Sequence, residues 1–236
     1  MDSQAAGSIG ARLRLVFDEI RRAEQASGRP PGSVRFVAAT KMVTAPRIRE
    51  AVAAGLTIAG ENRLQEALLK LETLQGEPIK WHFIGQLQRR KVRSVVGVFE
   101  LIHSVTSLEL AQEIDRRAEA AGIRQAILLE VNIGGEKTKI GFLPDELERT
   151  VAGFETLSHV YVKGLMAIPP LVDTAEEARP YFRTLRELAW RLARQAIPRI
   201  SMEDLSMGMS NDYQVAIEEG ATLVRVGRAI FGARNV

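Results

Sequence analysis

The sequence predicts a single (β/α)8 barrel of the TIM type with an extra helix in front, on three observations. Eight short apolar runs alternate with helix-like segments, which is the count that closes such a barrel. No glycine-rich turn follows the first run, where Met42-Val43-Thr44 stands, so a doubly wound open sheet lacks its phosphate-binding signature. Glycine-bearing loops follow the seventh and eighth runs, where barrels of this kind often bind phosphate. A chain of 236 residues fits one barrel domain spanning 1–236, with residues 1–33 as helix and lead-in.

The elements follow in order. Ile9, Leu13, Val16, Ile20 and Ala23 recur at helical spacing, predicting an amphipathic helix over 8–27. Gly28-Arg29-Pro30-Pro31-Gly32 stops it, and Arg35-Phe36-Val37-Ala38-Ala39-Thr40-Lys41 reads as the first strand. A helix over 46–54 ends at Gly55, and strand 56–60 follows. Helix 63–75, strand 79–85, helix 87–96 and strand 99–105 come next. Thr106-Ser107-Leu108-Glu109 opens a helix over 107–121 with capping-box spacing. Strand 126–132 leads into a glycine- and lysine-rich loop, 133–141, and a helix beginning near Pro144. Strand 160–166 precedes a helix that carries Pro180 in its first turn and reaches Ala196. Strand seven ends at Asp204-Leu205-Ser206, helix 211–219 ends at Gly220, strand 222–226 is the eighth, and a short segment, 228–231, follows.

Composition narrows the function class. Apolar residues make up 46% and charged residues 26%, enough apolar mass for a barrel core. The net charge of +3 is scattered, and the densest basic group, Arg89-Arg90-Lys91 with Arg93, has no interleaved aromatics to stack bases. Nucleic acid is therefore not an expected partner. The chain has no cysteine, which suits the cytoplasm, and no apolar stretch of membrane-spanning length. His82, His103 and His159 are spread over three strands without paired ligand spacing, so no metal site is expected.

The residues able to do chemistry gather at strand ends. Lys41 closes the first strand at the end where barrel enzymes keep their sites. Strand alternation sets it on the face of Val37 and Ala39, and an amine in an apolar mouth loses charge and can attack a carbonyl. The alternative is a solvated lysine in an ordinary loop. After strand seven stand Ser206-Met207-Gly208-Met209-Ser210, and after strand eight Gly227 and Arg228. Glycines let backbone amides approach an anion closely, and the two serines add hydroxyls. Ser210 serves equally as a plain helix N-cap. Arg225 lies inside the eighth strand, where a guanidinium needs a partner: a ligand, or a barrel carboxylate such as Glu61 or Glu130. Asn62 ends strand two, either against a ligand oxygen or as the cap of the next helix, with Gln65 three residues on.

These residues carry a resemblance. Ala38-Ala39-Thr40-Lys41, Gly60-Glu61-Asn62-Arg63, Trp81 to Gln88, Gly164 to Pro169, Ser206 to Ser210 and Phe231-Gly232-Ala233-Arg234 stand in the order of the pyridoxal-phosphate homeostasis family. That family resembles the N-terminal barrel of alanine racemase. The resemblance implies that Lys41 forms an internal aldimine with pyridoxal 5′-phosphate (PLP). It implies phosphate contacts from Ser206, Ser210, Gly227 and Arg228, with Asn62 beside the ring and Arg225 facing its nitrogen. Two positions depart from the family: Arg228 where threonine or serine is common, and Arg90 where a small polar residue is usual.

An arginine leaves the ring nitrogen unprotonated and weakens the ring as an electron sink. Related racemases take part of their acid/base pair from a second domain, which this sequence is not expected to have. The expectation is a cytoplasmic, monomeric carrier that holds PLP and passes it to PLP-dependent apo-enzymes, with no strong catalysis and no membrane partner. The alternatives are a racemase- or decarboxylase-like enzyme completed by dimerisation, a lysine-dependent aldolase, and an RNA-binding module.

Overall fold

The computed structural model describes residues 7–232. Ser8 caps α1 (Ile9–Ala26) by accepting from the Ala11 amide at 3.2 Å. One face of α1 buries Ile9, Leu13, Val16, Ile20 and Ala23, each large aliphatic stabilising by about 1.5–3 kcal/mol on leaving water. Glu24 is buried too, and its carboxylate accepts from the amides of Gly32 and Val34, fixing the turn into the first strand.

The strands are β1 (Arg35–Ala39), β2 (Ile58–Glu61), β3 (Lys80–Phe83), β4 (Leu101–Val105), β5 (Gln125–Val131), β6 (Val160–Ala167), β7 (Ile200–Ser206) and β8 (Leu223–Val226). All neighbours are parallel, and β8 pairs with β1, so the sheet closes in the order 1 to 8. Between them lie α2 (Ala45–Ala53), α3 (Leu64–Thr73), α4 (Leu108–Ala120), α5 (Pro144–Thr150), α6 (Arg179–Ala193) and α7 (Tyr213–Glu218), with α8 (Arg228–Phe231) at the end. Val37, Ile58, Leu101, Leu128, Met166 and Leu223 fill the barrel interior, while the larger apolar layer lies between strands and helices.

The eight-strand barrel stands as the sequence predicts, and three connections differ from it. The segment after β3 is a 3-10 helix, Arg89–Ser94, because the basic run buries only Val92 within it. The segment after β5 splits into α5 and a 3-10 turn, Val151–Thr156. Ser107, not Thr106, caps α4, accepting from Leu110 at 3.2 Å.

The extra helix has a structural job. α8 is only four residues long and cannot cover the β8–β1 seam. α1 packs against α7, α8 and α2, and so covers that seam in its place. Phe17 meets Phe36 of β1 edge-on at 5.5 Å, and Arg29 caps the end of α7 through the carbonyls of Ile217 and Ala221.

Candidate functional site

The C-terminal ends of the strands surround a cavity of about 630 Å³. Lys41, Ser210, Arg225, Gly227 and Arg228 all line it, together with Ala39, Lys139 and the loop 168–175 after β6. Asn62 and Ser206 do not.

Lys41 sits just past β1, in a turn closed by the Val43 amide on the Thr40 carbonyl at 2.9 Å. Alternation carries over from the strand: Val37 is in the barrel interior, and Ala39 and Lys41 face the cavity above it. Met42, next in the turn, has φ 61, a left-handed conformation uncommon outside glycine.

The β7 and β8 loops form the opposite wall. Gly208 holds φ 88, and a side chain on Gly227 would meet the Ala39 carbonyl at 2.9 Å, so both positions require glycine. α7 begins at Tyr213 with Asp212 as its N-cap, and Ser210 is therefore not the helix cap. Asp212 accepts from the Met209 amide at 2.6 Å, which fixes the loop carrying Ser210. Burial raises the Asp212 carboxyl's pKa against the opposing pull of that amide and of Arg225. Arg228 reaches across to Asn211 at 3.4 Å, tying the two loops together. Among the described residues, the amides of Ser210, Asn211, Arg228 and Ala229 have no protein acceptor.

Arg225 forms the floor. It is 5% exposed, and it donates to Ser206 Oγ at 2.5 Å and to the Ala167 carbonyl at 3.0 Å. No carboxylate salt-bridges it among the described residues, so neither Glu61 nor Glu130 is its ion-pair partner. Burial brings its pKa down to about 10, with Glu130 and Asp212 acting the other way, so it stays a cation at neutral pH. A guanidinium has five N–H donors, and three remain after these two bonds.

Ser206 lies beneath that floor, fully buried. Its oxygen accepts from Arg225, so its proton goes to His103 Nδ1 at 2.8 Å. His103 then carries its proton on Nε2 and donates to His82 Nδ1 at 3.0 Å. Burial keeps both rings neutral, the pKa of His82 at about 3 and that of His103 well below the ordinary value. Sequence reasoning placed Ser206 with the phosphate loops because it ends β7. Strand alternation instead points it into the barrel, one layer below the cavity.

Asn62 is not a helix cap either: α3 starts after Arg63, and no side chain caps it. The Asn62 side-chain oxygen is buried without a hydrogen-bond partner. The fold adds two residues near the site, Lys139 from the lysine-rich loop and Asn132 before it. Lys139 of the 133–141 loop lines the cavity and donates to the Pro169 carbonyl at 3.0 Å. Asn132 holds that loop, bonding the carbonyls of Glu136 and Lys139. Glu130, half-buried at the end of β5, has its pKa raised to about 7 by burial, against the pull of Arg225. A carboxyl inside the barrel near an arginine was a visible signal for Glu130; nothing in the sequence pointed to the loop-to-loop bond of Lys139.

Comparison with known proteins bears on this arrangement. The family model for the alanine racemase N-terminal domain matches residues 17–235. A pyridoxal phosphate homeostasis protein of Aquifex aeolicus is 45% identical, over 95% of this chain and 97% of its own length. The protein of the same name from Pseudomonas aeruginosa is 41% identical over 97% of this chain. The chain belongs to the pyridoxal phosphate homeostasis protein family. Among solved structures, PipY of Synechococcus elongatus with PLP bound superposes with a TM-score of 0.79 at 39% identity, covering 91% of this chain and 99% of that one. Alanine racemase of Clostridium difficile, 14% identical with a TM-score of 0.66, shares the fold. This chain covers 56% of that racemase. No described helix is long and apolar enough to cross a membrane.

Proposed function

We propose that this member of the family binds PLP as a Schiff base on Lys41, in the cavity at the barrel mouth, and delivers it to PLP-dependent apo-enzymes. One observation carries the reading: an amine, a buried guanidinium with unspent donors, and two amide-bearing loops line a single cavity. Its volume lies in the range of about 300–1,000 Å³ usual for small-molecule sites. The donor set fits the cofactor. Lys41 would hold the aldehyde end through its amine, and Arg225 would face the ring nitrogen with its remaining donors. Ser210, the amides around Gly227, and Arg228 take the phosphate, the Arg228 guanidinium adding charge where a hydroxyl is common in the family. Asn62 lies outside the cavity lining, and its buried, unpartnered oxygen would be its only link to the ring edge.

Bound PLP supplies an electron sink whose strength depends on protonation of its ring nitrogen. Arg225 keeps its own proton and leaves that nitrogen neutral, which favours holding the cofactor over turning substrates over. The names of the close relatives support the same reading. Ser206 serves it indirectly, by orienting Arg225.

The test is covalent capture. Protein titrated with PLP is expected to show a visible absorbance band that Lys41→Ala abolishes. Borohydride reduction should fix the cofactor on the peptide containing Lys41; finding it chiefly on Lys137 or Lys139 would overturn the assignment. Loaded protein mixed with a PLP-requiring apo-enzyme should restore its activity. Efficient racemisation of an amino acid by the loaded protein would replace the carrier reading with an enzymatic one.

A further inference from the structure

Behind the Lys41 turn lies a buried cluster that the cavity does not touch. Lys70 of α3 is 7% exposed, and its ammonium has three acceptors, as many as it has protons. They are the Thr40 carbonyl at 2.7 Å, Glu61 Oε1 at 2.7 Å and Glu66 Oε1 at 2.5 Å. Each carboxylate also reaches the turn itself. Glu61 accepts from the Thr40 hydroxyl at 2.6 Å, and Glu66 accepts from the Met42 amide at 2.5 Å. Three of these five contacts end on the residue before Lys41 or the residue after it, and the other two join Lys70 to the carboxylates. Burial lifts the Glu61 pKa despite its bonds from Lys70 and Thr40. For Glu66, burial is outweighed by the Lys70 and Met42 bonds, and its pKa is lowered.

A buried lysine between two glutamates is a poor source of plain stability, because an apolar residue of the same volume serves as well or better. A left-handed, non-glycine residue beside a reactive one persists only where its surroundings over-determine it. Met42 is such a residue, and Glu66 holds its amide while Lys70 holds the carbonyl on the other side of Lys41. Lys70 and Glu66 are one turn apart on α3, so a single rigid helix sets both anchors.

We propose that Lys70, held by Glu61 and Glu66, is a positioning residue for Lys41: it locks the strained turn so that the Lys41 amine presents to the aldehyde of the cofactor. The proposal rests on the reading that Lys41 takes PLP. It separates two parts of binding that the cavity otherwise mixes, the covalent bond to Lys41 and the non-covalent grip on ring and phosphate. Only the first depends on where the turn holds Nζ.

The experiment compares PLP with pyridoxine 5′-phosphate, which has the same ring and phosphate and no aldehyde, on wild type, Lys70→Met and Glu66→Gln. Lys70→Met is expected to weaken PLP binding by about tenfold, the equivalent of one oriented contact, and to diminish the visible band. Binding of pyridoxine 5′-phosphate should stay within about twofold, well under that tenfold step. Glu66→Gln keeps an oxygen for the Met42 amide and should fall between wild type and Lys70→Met for PLP alone, with pyridoxine 5′-phosphate unchanged, a split that a merely structural role would not produce. Thermal unfolding of each variant is measured alongside, and if Lys70→Met does not fold, Glu66→Gln decides. Equal weakening for both ligands, or no change in the PLP band, overturns the proposal. Absence of the band in wild type overturns the cofactor reading on Lys41, and this proposal with it.

Discussion

The two walls of the cavity are held by opposite means. On the β1 side the chain around Lys41 is gripped by charged side chains from α3, with every ammonium proton of Lys70 committed. On the β7–β8 side the loops are shaped by glycine and by one aspartate, and amides at 210, 211, 228 and 229 are left unspent. The contrast follows from what each wall must do. A reactive amine must point one way, which takes many fixed contacts. An anion is held by whatever donors the fold leaves over, and saturating them internally would remove the site.

The largest effect should come from the floor that joins the walls. Arg225 makes two charge-assisted hydrogen bonds there, each stabilising by about 1.5–3 kcal/mol. We expect Arg225→Ala to lose about 3–5 kcal/mol of stability in the cofactor-free protein, since it also strips Ser206 of its donor. Denaturant midpoints measure this. A loss below about 1 kcal/mol, the ordinary scale of one neutral hydrogen bond, would mean that the floor is not a structural tie and the walls are independent.

The next effect sharpens the anion wall. Ser210→Ala is expected to weaken PLP binding by about tenfold, at about 1.4 kcal/mol for one hydrogen bond to phosphate, and to leave pyridoxal binding nearly unchanged. Parallel losses for the two ligands would place Ser210 on the ring or make it a mere loop anchor. The same comparison on Ser206→Ala should show no such split, because Ser206 touches Arg225 and His103 and does not line the cavity.

That difference between two serines marks how far the sequence could be read. Apolar runs of strand length, broken at Gly55, Gly76 and Gly220, made the barrel legible, and Lys41, Gly227 and Arg225 could be placed from their position along a strand. Legibility stopped where direction mattered. Ser206 and Ser210 are four residues apart in one motif, yet one points down into the barrel and the other lies on the loop above it. Nothing in the sequence of helix 63–75 sets Lys70 apart. Only the fold shows that its position on α3 faces the back of β1. The sequence predicts a helix over 87–96 and the chain forms a 3-10 turn at Arg89–Ser94, because charge density says little about how many turns will close.

The smallest effect concerns Glu130, and it tests whether the floor has a counter-charge. Its carboxyl ionises at about 7 in the folded protein, raised by burial from 4.5. Below pH 4.5 the group is protonated folded and unfolded alike, and its burial adds no pH-dependent penalty. Between 4.5 and 7 the unfolded chain releases this proton while the fold retains it, so stability falls as pH rises through that window and levels off above it. The full shift corresponds to about 3 kcal/mol, at 1.36 kcal/mol per pH unit, and water reaching this half-buried group reduces it to about 1 kcal/mol. Glutamine mimics the protonated acid and carries no such penalty. Glu130→Gln should therefore gain on wild type between pH 4.5 and pH 8 in cofactor-free unfolding measurements, with no difference in slope outside that window. A wild-type advantage that shrinks as pH falls below 4.5 and is constant above it would mean instead that Arg225 holds Glu130 ionised and that the floor is an ion pair in solution.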